Sequence, residues 1–352
     1  MEKVMIAMSG GVDSSVCAKI IKEKGYDIIG ATMHLFDKTD KLFYPLQDGY
    51  NEAKDAKAVA DALGVDFYVF DLKEEFKKHV IEPFIDSYEN AGTPNPCLYC
   101  NKQLKFGVLI DKAIEMGCDF VATGHYAHIV YEDGRYKLKK ATDLTKDQSY
   151  VLFSLTQDQL SHTLFPLGNL SKEQVKEIAK DCNFVTAGKK ESQDICFVPD
   201  GDYVGFMCRY TGKNYPQGNF VDKDNNILGK HKGIVNYTIG QRKGLGISAK
   251  EPLYVLAVEP DENKVVLGSN DELFSTTLDA HDLNLIAIDK VTEPMRVKAR
   301  VRYRHIEQWA TVTQPDEDTL HVVFDEPQRA ITKGQAVVLY QDDVVIGGGT
   351  IG

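Results

Sequence analysis

"MSGGVDSS", Met8 to Ser15, is the stretch on which the reading of this chain turns. Val4-Met5-Ile6-Ala7-Met8 leads into it, a short continuous apolar run of the kind that forms a strand buried on both faces. Val16, Cys17, Ile20 and Ile21 follow at helical spacing as far as Gly25, a C-terminal stop. The order is strand, glycine turn, helix. Gly10 and Gly11 let the backbone bend sharply with its N–H groups pointing one way, and the Ser14 and Ser15 hydroxyls sit beside the free N–H groups of the helix start. Such a turn suits an anion, most naturally a phosphate.

Outward from this turn, roughly the first 200 residues alternate short apolar strands with helical patterns, the mark of a parallel sheet covered by helices on both faces. Strands are expected at 4–8, 27–33, 66–71 and 119–123, and helices at 14–24, 51–63, 73–89 and 101–116. "YEDGRY", 131–136, reads as a hairpin turn, and Ser171 with Gln174 forms a capping box opening a helix at 172–182. Beyond about residue 205 glycine, asparagine and alternating strands dominate, with no strong helix, so small β domains are expected there.

The 352 residues carry 43% apolar side chains and a formal charge of −11. That size and composition describe a globular protein of two or three domains. The acidic total argues against binding nucleic acid over the whole surface but leaves room for a local basic site. No apolar run approaches the ~20 residues of a membrane span and the N-terminus has no secretory pattern, so a cytoplasmic protein is expected. Seven cysteines in such a chain point away from a disulfide framework and toward active thiols.

"TPNPCLYCNKQLKFG", 93–107, places Cys97 and Cys100 where a proline-held loop meets a helical pattern. A helix start with Lys102 and Lys105 nearby would favour the Cys100 thiolate. A zinc site would need a second ligand pair, and no other Cys-x-x-Cys or His-x-x-x-His is present. Cys196, in "KKESQDICFV", reads on its own as a core cysteine. "TGHYA", 123–127, follows the fourth strand at the carboxyl edge where open α/β sheets bind ligands. There Gly124 permits close backbone approach, and His125 is either structural or a hydrogen-bonding group.

Two basic features offset the acidic total. Residues 225–250 hold Lys230, Lys232, Arg242, Lys243 and Lys250 without an acidic residue. In "RVKARVRYRH", Arg296, Lys298, Arg300, Arg302 and Arg304 occupy alternate positions, which on a strand would share one face suited to a phosphate backbone.

"MSGGVDSS" alone resembles the PP-loop of the ATP pyrophosphatases, which hold ATP's phosphates and release pyrophosphate. Taken with "NPCLYCNKQLKFG", "ATGHYA", "KDQSYVLFSL", "FPLG", "ESQDICFV", "YTIGQRKGLGI", "VRYR" and "GGGTI", in order from residue 4 to the C-terminus, the chain resembles the bacterial tRNA-specific 2-thiouridylases (MnmA/TrmU type). The resemblance implies an α/β fold: a parallel-sheet PP-loop catalytic domain at 1–204, a small β-rich central domain at 205–272 and a tRNA-contacting C-terminal β-barrel at 273–352. It implies that ATP with Mg2+ lies against Ala7, Met8, Ser9, Gly10, Gly11, Val12, Asp13 and Ser14, flanked by Met33 and Gly124. The wobble uridine of tRNA would be adenylated at its 2-oxygen. Cys196 would carry a persulfide from a sulfur-relay donor protein, and Cys100 would resolve it. Asn95, Pro96 and Cys97 would face the base. Lys146, Asp147, Gln148, Arg302, Tyr303, His125 and Gln335 would face the tRNA, and the enzyme would act as a monomer.

Members of the family carry either Asp or Cys three residues before Cys100, and here it is Cys97. Three thiolates at 97, 100 and 196 offer an alternative route, an iron–sulfur cluster delivering sulfide. The rival readings are another PP-loop ligase acting on a small molecule and an RNA-binding paralogue without chemistry. The first leaves the paired cysteines and the basic strand unexplained, and intact Asp13, Cys100 and Cys196 speak against the second.

Overall fold

The computed structural model of the protein describes residues 1–37, 42–43, 52–189 and 195–352. Asn51 of the expected second helix and Lys190 to Asp194, the charged lead-in to Cys196, lie outside the described residues.

β1 (Lys3–Ala7), β2 (Asp27–His34), β3 (Phe67–Asp71) and β4 (Phe120–Ala122) run parallel in the order β3-β2-β1-β4, and the short strand Thr163–Leu164 extends the β4 edge. The apolar run ending at Met8 is buried on both faces. Val4, Ile6 and Met8 pack with Val16 and Cys17 of α1 (Val12–Glu23), while Met5 packs on the opposite side with Phe106, Leu109 and Val121. α2 (Glu52–Leu63) follows β2. Because β1 and β4 are neighbours, the loops leaving their carboxyl ends face each other across the crevice where such sheets take ligands.

The helical pattern at 73–89 is three consecutive segments, Lys73–Phe76, the π-type Lys77–Ile81 and Glu82–Glu89. The helix expected at 101–116 starts earlier, as Pro96–Tyr99, π-type Cys100–Val108 and Leu109–Glu115. Asn95 starts it by accepting the Cys97 N–H at 3.2 Å, and Pro96 has a backbone suited to the first helical position. The capping box at Ser171 and Gln174 opens the helix Lys172–Asp181. One correction concerns the region after 205: Tyr203–Thr211 is a helix, capped by Asp202 and ended by left-handed Gly212. Its Phe206 and Met207 pack with Phe36, Phe76 and Phe197 of the first domain.

A four-stranded sheet of Gly218–Val221, Ile227–His231, Tyr254–Glu259 and Lys264–Gly268 forms the middle of the chain. In the C-terminal part, Phe274–Leu285, Thr319–Arg329, Gln308–Asp316, Met295–Arg300, Ala336–Gln341 and Val344–Ile351 pair in that order, and the first also pairs with the last. That closes a six-stranded barrel with no free edge. The hairpin Ala127–Glu132 and Arg135–Lys140, turned through Asp133 and Gly134, joins this barrel where Lys139 pairs with Val344. First domain and barrel share one core: Tyr150, Leu152, Phe153 and Leu155 pack with Val338, Tyr340 and Val345. The Tyr150 hydroxyl donates to the Ala336 carbonyl at 2.9 Å. Among the described residues no helix is long and apolar enough to cross a membrane.

Candidate active site

The phosphate loop is built as its glycines and hydroxyls require. Gly10 is left-handed (φ 69°), and Gly11 caps α1 with no side chain. The Ser14 hydroxyl accepts from the Ser9 N–H at 3.2 Å and donates to the Gly11 carbonyl at 3.1 Å. Ser15 reaches the same carbonyl at 2.8 Å and Thr186 at 2.9 Å. Gly124 closes on this loop from β4. A Cβ there would stand 2.7 Å from the Asp13 carbonyl carbon and 2.9 Å from the Ser14 nitrogen, both backbone atoms, so only glycine fits. Ala7 ends β1, Val12 is buried, and Met33 packs against the apolar clusters on both sides of it.

Cations reach the loop from far along the sequence. Lys172, only 3% exposed at the start of its helix, donates to both Asp13 carboxylate oxygens at 2.7 and 2.8 Å, and the Tyr126 hydroxyl donates to one of them at 2.8 Å. Lys189 donates to the Gly10 carbonyl at 2.5 Å and pairs with Asp55. The motif lacks the lysine of other phosphate loops, and these two residues put positive charge beside it. No local sequence signal marks either, because the pairing is made at separations of 159 and 179 residues.

His125 follows Gly124 in the chain. It is buried beside Phe106 and Phe165, with Nδ1 2.7 Å from the Thr123 hydroxyl. Burial, aided by the Lys105 charge, holds its pKa well below the ordinary imidazole value, so it is neutral at physiological pH. Only 8% of its surface is exposed.

The cysteines form a second centre. Cys97 is exposed in the first turn of its helix, and Cys100 lies one turn on, packed with Met33 and Tyr99 against the Phe36, Phe76, Phe84 and Phe197 cluster. The helix start was expected to lower the Cys100 pKa. Burial instead raises it, opposed by the Lys105 charge and reinforced by Cys97, and the helix begins at Pro96, so Cys97 and not Cys100 lies in its first turn. Cys196 is exposed, while its neighbours Ile195 and Phe197 enter the same apolar cluster as Cys100. None of the seven cysteines is joined in a disulfide. Among the described residues no group of three or more His, Cys, Asp or Glu is gathered to hold a metal ion.

The residues expected to face RNA divide into two kinds. Asn95 and Cys97 sit at the cysteine loop, where Pro96 is buried. Tyr303, from the barrel, donates to the Asp147 carbonyl at 3.3 Å and feels the Cys97 charge, so the barrel places it at this loop. Lys146 precedes it on a partly exposed turn. Asp147 and Gln148 are structural in this conformation. The Asp147 carboxylate accepts from the Ala141 and Ser149 N–H groups at 3.1 and 3.2 Å, and Gln148 accepts from the Tyr126 N–H at 3.0 Å. Gln335 donates to the Thr93 carbonyl at 2.6 Å.

The basic strand also needs correction. It ends at Arg300, so the five cations do not share one strand face. Arg296 pairs with Asp325, and both Arg296 and Lys298 lie over the Trp309 ring. Arg300 turns inward to Glu307 at 2.9 Å and Asp147 at 3.7 Å. Arg302 donates to the Ala330 carbonyl at 2.9 Å, to Thr332 and to the Ile239 carbonyl of the central region. The inward alternation does hold, with Val297, Ala299 and Val301 buried.

Three family descriptions match successive parts of the chain: a tRNA methyl transferase HUP domain over residues 2–200, a tRNA methyl transferase PRC-barrel domain over 204–269 and an aminomethyltransferase β-barrel domain over 275–351. The tRNA-specific 2-thiouridylase MnmA of Clostridioides difficile is 50% identical over 99% of this chain and 98% of its own length. That of Acetivibrio thermocellus is 49% identical over 99% of both chains, and that of Clostridium acetobutylicum 48% identical over 99% of both. With its full length aligned and its phosphate loop and cysteine loop both built, the chain belongs to the tRNA-specific 2-thiouridylase family.

Proposed function

We propose that the protein is a tRNA-uridine 2-sulfurtransferase that spends ATP to replace the 2-oxygen of a tRNA wobble uridine by sulfur. The observation that supports this over methyl transfer, the wording of the domain descriptions, is the pairing of an ATP-type phosphate loop with cysteines on an adjoining apolar cluster. Methyl transfer from a methyl donor does not call for an ATP-type phosphate loop.

The Gly10–Gly11 turn and the first N–H groups of α1 would hold the phosphates of ATP, with Lys172 and Lys189 supplying positive charge as pyrophosphate departs. Mg2+ would enter with ATP as part of that substrate. The uridine 2-oxygen would displace pyrophosphate from the α-phosphorus, which turns a poor leaving group into AMP. A persulfide on Cys196, loaded by a relay protein, would attack C2 through its outer sulfur, and AMP would leave. The Cys100 thiolate would then attack the Cys196 Sγ. The bond to the outer sulfur breaks, its electron pair goes to the thiocarbonyl, and a Cys100–Cys196 disulfide remains for an external thiol to reduce. Asn95 and Cys97 on the cysteine loop, with Tyr303 and Lys146, would meet the RNA.

Purified protein, ATP, unmodified tRNA and a persulfide donor should yield 2-thiouridine together with equimolar AMP. Methylated tRNA from a methyl donor, with no thiolation, would overturn the assignment.

A further inference from the structure

We infer that the barrel is a positioning part of the cysteine site, acting through Gln335. The proposal rests on the role given above to the cysteine loop. Thr93, two residues before the helix cap Asn95, has both backbone polar groups held by one barrel turn. Its N–H donates to the Lys333 carbonyl at 2.8 Å, and its carbonyl accepts from Gln335 Nε2 at 2.6 Å.

The turn that grips it is itself fixed. Gly334 donates to the Ile351 carbonyl at 2.9 Å, and Ile351 donates back to the Gln335 carbonyl at 2.8 Å. The buried Thr332 hydroxyl donates to the Ala330 carbonyl at 2.8 Å and accepts from Arg302. The two surfaces are also shaped to meet. A Cβ on left-handed Gly334 would stand 3.0 Å from the Ser87 hydroxyl and 3.2 Å from the Thr93 nitrogen, and one on Gly92 would stand 3.5 Å from the Lys333 carbonyl oxygen.

From Thr93 onward the chain has little freedom. Pro94 and Pro96 are buried, each fixing one backbone angle, and Asn95 caps the helix that carries Cys97 in its first turn and Cys100 one turn later. The anchor therefore sets where both thiols stand. Gln335, adjacent to the turn bridged by Arg302, links the loop that carries Tyr303 to the thiols, so the RNA-facing and sulfur-handling parts share one rigid connection.

The test is Gln335→Ala in the full-length protein, with Gln335→Glu as a second variant that keeps the size but loses the donor. Iodoacetamide labelling of Cys97 and Cys100, read site by site by mass spectrometry across pH without tRNA or ATP, should show both rates shifted several-fold from wild type. Thiolation kcat should fall about tenfold through misplacement of the thiols, with the KM for ATP unchanged. Hydrogen exchange at the Thr93 amide should rise in the variants. Weaker tRNA binding with unaltered thiol reactivity would make Gln335 an RNA contact and overturn the proposal, as would wild-type values throughout. The labelling and exchange readouts stand whether or not the protein thiolates tRNA, so failure of the anchor and failure of the assigned function are separable.

Discussion

Asp13, Lys172 and Tyr126 show at the scale of single residues how much chemistry can hide in an unremarkable sequence. A lysine at a helix start works against the helix dipole, and burying it costs desolvation, yet Lys172 is held there by both oxygens of Asp13. Lys172→Met should lower stability by about 2 kcal/mol, a figure reduced for the partial exposure of Asp13, and should abolish ATP-dependent pyrophosphate release. Thermal melting and a pyrophosphate assay check both. His125 gives a prediction in pH. Its folded pKa lies below the unfolded value of about 6.5, so its stabilising contribution is complete above that pH and is lost as pH falls toward the folded value. Melting temperatures between neutral pH and pH 5 should therefore fall less in His125→Gln than in wild type. Cys100 has the opposite sense: with its pKa raised, its alkylation should accelerate only above the ordinary thiol range, and an early rise near neutrality in the free protein would contradict the burial argument. Phosphate-loop serines and glycines were legible from sequence because their roles are local. Lys172 and Lys189 were not, because pairing across the fold leaves no spacing to read.

At the scale of elements, the strand-turn-helix at Met8–Ser15 was legible because a buried parallel strand and an amphipathic helix each carry their own periodicity. The strand from Met295 shows the limit of that logic. Alternation fixes which residues face inward, as Val297 and Ala299 do, but does not say where the strand stops or which carboxylates meet the arginines. Arg300→Glu would put a third carboxylate beside Asp147 and Glu307, so it should lower the melting temperature without RNA present. An unchanged melt with weaker tRNA binding would restore the basic-face reading. The helix Tyr203–Thr211 was missed although Asp202 and Gly212 are ordinary cap residues, since the glycine-rich texture around it masked its period. Gly124→Ala tests the contact between the β1 and β4 loops. The added carbon meets backbone, so the loop must move, and pyrophosphate release should fall by at least about tenfold. A fully active Gly124→Ala enzyme would mean the two loops are not held together during catalysis.

For the whole molecule, two sheets and an apolar cluster serve two centres. The parallel sheet presents the phosphate loop, the apolar cluster around Phe76 and Phe197 carries the thiols, and the barrel shares a core with the first domain through Tyr150 and Val338 while gripping the cysteine loop. That a barrel would follow was legible in outline; that it closes and joins the hairpin at 127–140 depends on long-range pairing. The central claim is that adenylation and sulfur transfer are carried by separate centres acting in turn. The most direct test quantifies AMP and 2-thiouridine in the same reaction of persulfide-treated wild type, Cys196→Ser and Lys172→Met with unmodified tRNA. The account predicts both products from wild type, tRNA-dependent AMP without 2-thiouridine from Cys196→Ser, and neither from Lys172→Met. Wild-type amounts of 2-thiouridine from Cys196→Ser, or full AMP formation by Lys172→Met, would contradict it.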